Sequence, residues 1–347
     1  MAAAVTGTTF FGTGIPVQAE NEWIGDDQLT DVQVDAPAPD DVVPNDTQYK
    51  YQKDELAAFC HFGPNTFNNI EWGENYGDKA PSEIFRLEND FDAETLVKAV
   101  KDAGFKKLIV TAKHHDGFCI WQSGETEYDM GGVTYKDGKG DILEEISAAC
   151  TAENIDMGLY LSPWDIHEPS YGYYDENGKP TNAQGDVLDY NEFYNDQLKE
   201  ILGNDKYGNI GRFTEVWMDG AKGGGADAQE YNFELWNNTI QEYEPECMIF
   251  QCGAYTTVHW IGNENGLAAK DTWAKINVDD TTFYSNIQNG YALGFENGTK
   301  WSVPEADTKI TSGWFWGPNK KTPLSMESLS NIYFNSVGHN APLLLNI

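Results

Sequence analysis

Three regularities predict an α/β fold, a distorted (β/α)8 TIM-like barrel. Short apolar runs alternate with amphipathic helical stretches after residue 50, and eight such runs fit in about 290 residues. Charged or aromatic side chains stand just past the carboxyl end of run after run. The runs predict strands at Leu56–Phe62, Lys107–Thr111, Met157–Leu161, Glu215–Met218, Met248–Cys252, His259–Ile261, Trp301–Val303 and Trp314–Trp316. Between them Ala93–Ala103, Ile142–Ala152, Asn191–Leu202 and Tyr231–Tyr243 repeat apolar residues every three or four positions. Asp92 is placed to cap the first of these helices and Gly104 to end it. Too little chain separates the fifth and sixth runs for a regular helix, so the barrel is expected to be irregular there.

Composition narrows the function. Fifty-six acidic against twenty-two basic residues give a net charge of −34, which repels nucleic acid and anionic membrane surfaces. No run of eighteen apolar residues predicts a membrane span. Eleven Trp supply flat amphipathic faces of the kind that stack on sugar rings, although most aromatics serve cores.

Three segments are expected. Residues 1–19 read as the remnant of an export signal, with small apolar residues and Val17-Gln18-Ala19 resembling a cleavage site but no basic stretch before it. A secreted or cell-surface protein follows from that reading. Residues 20–48 are acidic and proline-bearing, an arm or linker, and 49–347 form the catalytic barrel. The five Cys mostly lie in apolar runs and do not build a disulfide framework; a Cys247–Cys252 bridge is one option.

The richest segment is Thr111–Ser123, where Lys113, His114, His115 and Asp116 follow the apolar Leu108–Val110. A surface loop would explain the cluster, yet other strand ends carry similar groups: His61 with Glu71 and Trp72, Trp164 with Asp165, Asp219, and Glu264. In a barrel these converge on one face. Strand alternation turns Glu215, Trp217 and Asp219 inward and Val216 and Met218 outward. Asp219, followed by Gly220-Ala221, and Glu264, in Trp260-Ile261-Gly262-Asn263-Glu264, make a carboxylate pair suited to glycosidic cleavage, one attacking and one giving a proton. Imidazoles at His61, His114 and His115, neutral or charged, would bond sugar hydroxyls, and charged ones would favour an ionised Asp219. Isolated, Asp219 reads as a helix cap and Glu264 as a solvated loop acid.

The chain resembles the family-29 glycoside hydrolases, retaining α-L-fucosidases, from about Tyr49 to Ile347. The resemblance rests on Phe59–Phe67 with Glu71-Trp72-Gly73, Thr111–Phe118, Gly158–Asp165, Glu215–Ala221, Trp260–Glu264 and the tail Tyr333–Ile347. It implies Asp219 as nucleophile and Glu264 as acid/base. It also implies fucose contacts from His61, Glu71, Trp72, His114, His115 and Tyr160, and no cofactor or metal; Trp217, Trp314 and Trp316 are expected to join them in binding the substrate. Within the family the chain looks like the α1,3/4-selective branch acting on Lewis-type fucosylated glycans, with Trp164 and Asp165 contributing to recognition of the branched glycan.

Departures stand at Cys60, at His259, where arginine is common, and at His339. Such enzymes usually continue into a β-sandwich, so a further β-sandwich or carbohydrate-binding module is expected outside this stretch. Two alternatives remain: a non-catalytic glycan-binding protein, and a metal-dependent hydrolase using His114, His115 and Asp116, for which the adjacent histidines would have to bend off opposite strand faces.

Overall fold

The computed structural model describes residues 8–11, 15–18, 40–87, 91–172, 190–221, 229–277, 291–320 and 322–347. Residues 1–41 form a unit of their own, in which Thr8–Phe11 pairs antiparallel with Ile15–Gln18. The rest of the expected export signal and most of the arm lie outside the described residues.

Residues 42–347 form the second unit. Its eight parallel strands close into a barrel in sequence order: β1 (Leu56–Cys60), β2 (Lys107–Lys113), β3 (Asp156–Leu161), β4 (Glu215–Trp217), β5 (Met248–Phe250), β6 (Val258–Trp260), β7 (Val303–Lys309) and β8 (Leu343–Asn346). β8 pairs back onto β1, with Asn346 opposite Phe59. The first six lie where the apolar runs predict them. A single 3₁₀ turn, Gly253–Tyr255, joins β5 to β6, the short connection expected there.

The last two strands differ from the expectation. Trp301 pairs in a small antiparallel ladder, Lys300–Trp301 with Lys275–Ile276, outside the barrel. β7 begins at Val303 and hides its signature because it turns polar residues, Glu305 and Asp307, into the interior. Trp314–Trp316 is not a strand; β8 comes from the apolar tail, a short run buried enough to lack alternation.

α1 (Asp46–Asp54) lies at the strand-start end with Tyr51 reaching into the barrel, and the outer layer contains α2 (Ala93–Asp102), α3 (Ile142–Glu153), α4 (Tyr190–Leu202), α5 (Phe233–Tyr243) and α6 (Met326–Ser336). Asp92 caps α2 by accepting from Thr95 N, as its position predicts. The first helix is capped reciprocally by Asn45 and Gln48, a polar start inside the stretch read as an arm. The last helix, capped by Ser325, leaves little periodic trace in the sequence because Ile332 is its one buried apolar side chain.

Strand alternation sorts the core into two layers. Ala58, Leu108, Val110, Leu159, Val216 and Ile249 face the helices, packing with Val97, Ile146 and Trp236. Phe59, Ile109, Tyr160, Trp217, Phe250 and Leu344 fill the barrel. The inward turn of Glu215 and Trp217 is as expected. All five cysteines are buried free thiols, so Cys247 and Cys252 are not bridged. The departures sit off the cavity: Cys60 packs in the outer layer, the buried His259 contacts Ser302 Oγ at 3.1 Å, and His339 contacts Ala268 O at 2.8 Å.

The lower barrel holds an ionic cluster. Lys107 pairs with the fully buried Glu215, and Tyr51 OH bonds both Glu215 and Glu305. Trp217 Nε1 donates to Glu305 Oε1 at 2.9 Å. Burial foremost, then the Glu215 charge, pushes Glu305 up to about 8, so it keeps its proton at neutral pH. A carboxyl raised this way contributes stability in full below its unfolded value near 4.5, and that contribution is lost as pH rises through about 8. Glu305→Gln, which mimics the protonated form, is therefore expected to gain thermal stability relative to the parent as pH goes from 5 to 9. Parallel melting curves across that range would refute this if the difference in Tm stayed constant.

Candidate active site

At the carboxyl ends of the strands a cavity of about 280 Å³ opens, near the small end of the roughly 300–1,000 Å³ usual for ligand pockets. Its walls include Trp72, Trp217, Trp260 and Trp314, the three histidines, and the carboxylates Asp219, Glu264 and Asp307. A larger cleft at the opposite end, among Lys50, Tyr51, Lys107 and Arg212, sits by the strand starts. Its Lys50 and Arg212 are already paired with acids, and that end of a barrel serves stability.

The Lys113–Asp116 cluster splits by role. Lys113, wholly buried, ends β2 and bonds Asp165 and Gln197, each at 2.9 Å. Asp116 accepts from Asn65 Nδ2 at 3.0 Å and Phe118 N at 2.9 Å, and burial pushes it up to about 7. Both are structural, and Asp116 is thereby removed from any metal set with the histidines. Because the strand stops at Lys113, His114 and His115 do not point to opposite faces; their rings lie 4.1 Å apart and both line the cavity. The turn needs Gly117, whose φ is +80° and whose hydrogen leaves room for the Asp165 carboxylate that a Cβ would overlap.

The imidazoles are neutral. Burial lowers His61 to about 3 and holds His114 and His115 below the ordinary value, although Asp219 partly counters this at His115. Of the two expected states, neutral or charged, these rings take the neutral one and act through hydrogen bonds. Asn346 fixes His61: its Nδ2 donates to Trp314 O at 2.7 Å, so its Oδ1, 2.8 Å from His61 Nδ1, accepts. That leaves His61 Nε2 as an acceptor. Ser162 donates to Trp164 O at 2.6 Å and stands 2.8 Å from His115 Nδ1, so His115 Nε2 is also an acceptor. It lies 3.7 Å from Asp219 Oδ2, two acceptors facing each other across a gap that a sugar hydroxyl can enter as donor.

Asp219 follows β4 with each oxygen held: Oδ2 accepts from Tyr160 OH at 3.0 Å and Oδ1 from Ala221 N at 2.8 Å. Glu264 leaves β6 through Gly262, φ +84°, where a Cβ would stand 2.9 Å from Ala292. Its side chain is half exposed and pairs with Lys309 at 2.6 Å.

Of the remaining residues singled out from sequence, Tyr160 is buried beneath Asp219. Glu71 binds Lys320 and accepts from Trp314 N at 3.0 Å, and so braces the Trp314 wall. Trp164 packs on His115 and Trp72 at 4.9 and 5.4 Å between ring centres, beside the cavity. Asp165 is buried, its carboxylate tied to Lys113 and to the backbone of His167 and Glu168. Trp316 is exposed and outside the wall. Sequence reasoning missed Trp260, Gln251, Asp307, Lys309 and Asn346. The signal for Asp307 and Lys309 is the i, i+2 spacing Glu305, Asp307, Lys309, which puts all three on one strand face.

Comparison with known proteins bears on this geometry. The family model described as Alpha-L-fucosidase matches residues 33–347. Alpha-L-fucosidase 1 of Arabidopsis thaliana is 40% identical over 90% of this chain and 57% of its own length; a rice relative, from Oryza sativa subsp. japonica, is 39% identical over 90% and 55%. The chain thus spans just over half the length of these curated relatives. A Ruminococcus gnavus GH29 fucosidase solved in complex with fucose is 66% identical, superposes with a TM-score of 0.83, and is covered over 66% of its length by 94% of this chain.

Proposed function

The chain belongs to the alpha-L-fucosidase family, and on that premise we propose that it is a retaining exo-α-L-fucosidase with Asp219 as nucleophile and Glu264 as acid/base. The observation that carries the proposal is that Asp219 and Glu264 open, with the buried Asp307, on one small cavity walled by aromatic rings and neutral imidazoles. Asp219, oriented by Tyr160 and Ala221, attacks the anomeric carbon while Glu264 gives a proton to the departing oxygen. Glu264 then takes a proton from the water that displaces Asp219, and the sugar leaves with its configuration retained.

We also propose α1,3/4 selectivity toward Lewis-type glycans. The half-exposed Trp72 and the Trp164 packed on it offer an aromatic shelf beside the cavity for a second sugar. Asp165 acts from below, fixing the Trp164 loop rather than touching glycan. Export, read from residues 1–19, belongs to the same picture; no helix among the described residues is long and apolar enough to cross a membrane.

A second reading has one observation behind it: ligand atoms of His114, His115 and Asp219 lie within 4.8 Å of one another, compact enough for a transition metal. One assay separates the readings. Lewis trisaccharides, 2′-fucosyllactose and an aryl fucoside are incubated with the protein before and after chelator dialysis, and the first-formed anomer is read by NMR. We expect fucose release as the α-anomer, faster from the Lewis trisaccharides and unchanged by chelation. Loss on chelation restored by Zn²⁺ would support the metal reading, and β-fucose would end the retaining one.

A further inference from the structure

We infer that Lys309 is a positioning residue that parks Glu264 away from the glycosidic bond until hydroxyls of the aglycone sugar take its ammonium. The inference rests on the fucosidase reading and deepens it. β7 turns three ionisable residues inward at successive heights: Glu305 in the lower cluster, Asp307 accepting from Trp260 Nε1 at 2.6 Å, and Lys309 gripping Glu264 at the mouth. Trp260 and Glu264 are four residues apart on β6 and its loop, so one strand anchors the other at two points. The loop's stem is fixed through Trp260 and its carboxylate through Lys309.

In this pairing Oε2 of Glu264 is taken up by the ammonium rather than aimed at the cavity. To act as an acid Glu264 must leave the ammonium and turn toward the leaving oxygen. Its exposure leaves room for that movement, since half the Glu264 side chain faces solvent whereas only 23% of the Lys309 side chain does. The lysine stays where it is: its ammonium lies 4.5 Å over the Trp314 ring, which is braced by Glu71 and Asn346. An aglycone sugar resting by that wall brings hydroxyl oxygens that accept from Nζ in place of the carboxylate. Small aglycones without hydroxyls leave Glu264 parked, so Lys309 converts aglycone identity into availability of the acid/base.

The test compares the parent, Lys309→Met and Lys309→Arg on a fucosylated trisaccharide and on an activated aryl α-L-fucoside. The phenolate of the aryl substrate departs unaided, and its turnover rests on Glu264 as base. For Lys309→Met, kcat on the aryl fucoside is expected to rise and KM for the trisaccharide to rise. The trisaccharide-to-aryl ratio of kcat/KM then falls about ten-fold, the size of one lost hydrogen bond to a charged group. Lys309→Arg keeps the parent ratio. Equal changes on both substrates in Lys309→Met would make Lys309 a structural residue and overturn the inference. Should that variant fail to fold by circular dichroism, Lys309→Gln carries the same comparison with the same two outcomes. A parent that cleaves neither substrate overturns the fucosidase reading instead.

Discussion

Asp219→Gly is expected to cut turnover by about 10⁴-fold or more while fucose still binds. The carboxylate is the one group after β4 that both touches the cavity and has its oxygens oriented, by Tyr160 OH and Ala221 N. Removing it takes away the proposed attacking atom but leaves the neutral histidines and the tryptophan walls of the cavity. Glycine also leaves a space that azide can fill. With an activated aryl fucoside, azide attacks the anomeric carbon in place of Asp219 and releases the phenolate, giving the inverted β-fucosyl azide. A variant that retains parental turnover would remove Asp219 from the nucleophile role. A parent and variant that bind fucose alike while neither turns over would return the chain to a glycan-binding protein.

Glu264→Ala is expected to lower trisaccharide hydrolysis by about 10²–10⁴-fold, the range for loss of a general acid. An activated aryl fucoside, which leaves without a proton, should lose less in its first step and accumulate the fucosyl-enzyme, because the base for the second step is missing. A burst of phenolate followed by slow turnover reports that outcome. Equal loss on both substrates without a burst would take the acid role from Glu264. The alternative would then be Asp307, which lines the same cavity and which burial, against the Trp260 hydrogen bond, pushes up to about 7.

Much of the fold was legible because burial leaves a regular trace. Six strands and four helices of the barrel stand where apolar spacing puts them, and Asp219 and Glu264 could be picked out as acids following strands. The two final strands were not legible for different reasons, β8 because its short apolar run is too buried to alternate and β7 because its inward face is polar. β7 places ionisable residues inside a barrel, where Tyr51 and the Trp217 indole bond Glu305 and the Trp260 indole bonds Asp307, and no local pattern announces those distant partners. Trp314-Phe315-Trp316 mimics a strand in composition, whereas of the three only Trp314 lines the cavity, its backbone held by Glu71, 243 positions away in sequence.

The histidine-rich segment shows the same division within four residues. From Lys113-His114-His115-Asp116 alone, any of the four could serve catalysis or a metal; the packing assigns Lys113 and Asp116 to the interior and the two imidazoles to the cavity. The sequence by itself determined the barrel's alternating layers and that Asp219 and Glu264 follow strands, because hydrophobic periodicity and strand-end position are local properties of a chain. Only the tertiary structure decided which histidines are neutral, which acids are structural, and that Lys309 holds Glu264. Protonation and pairing depend on burial and on partners brought together across the barrel, and neither is encoded in spacing along one segment.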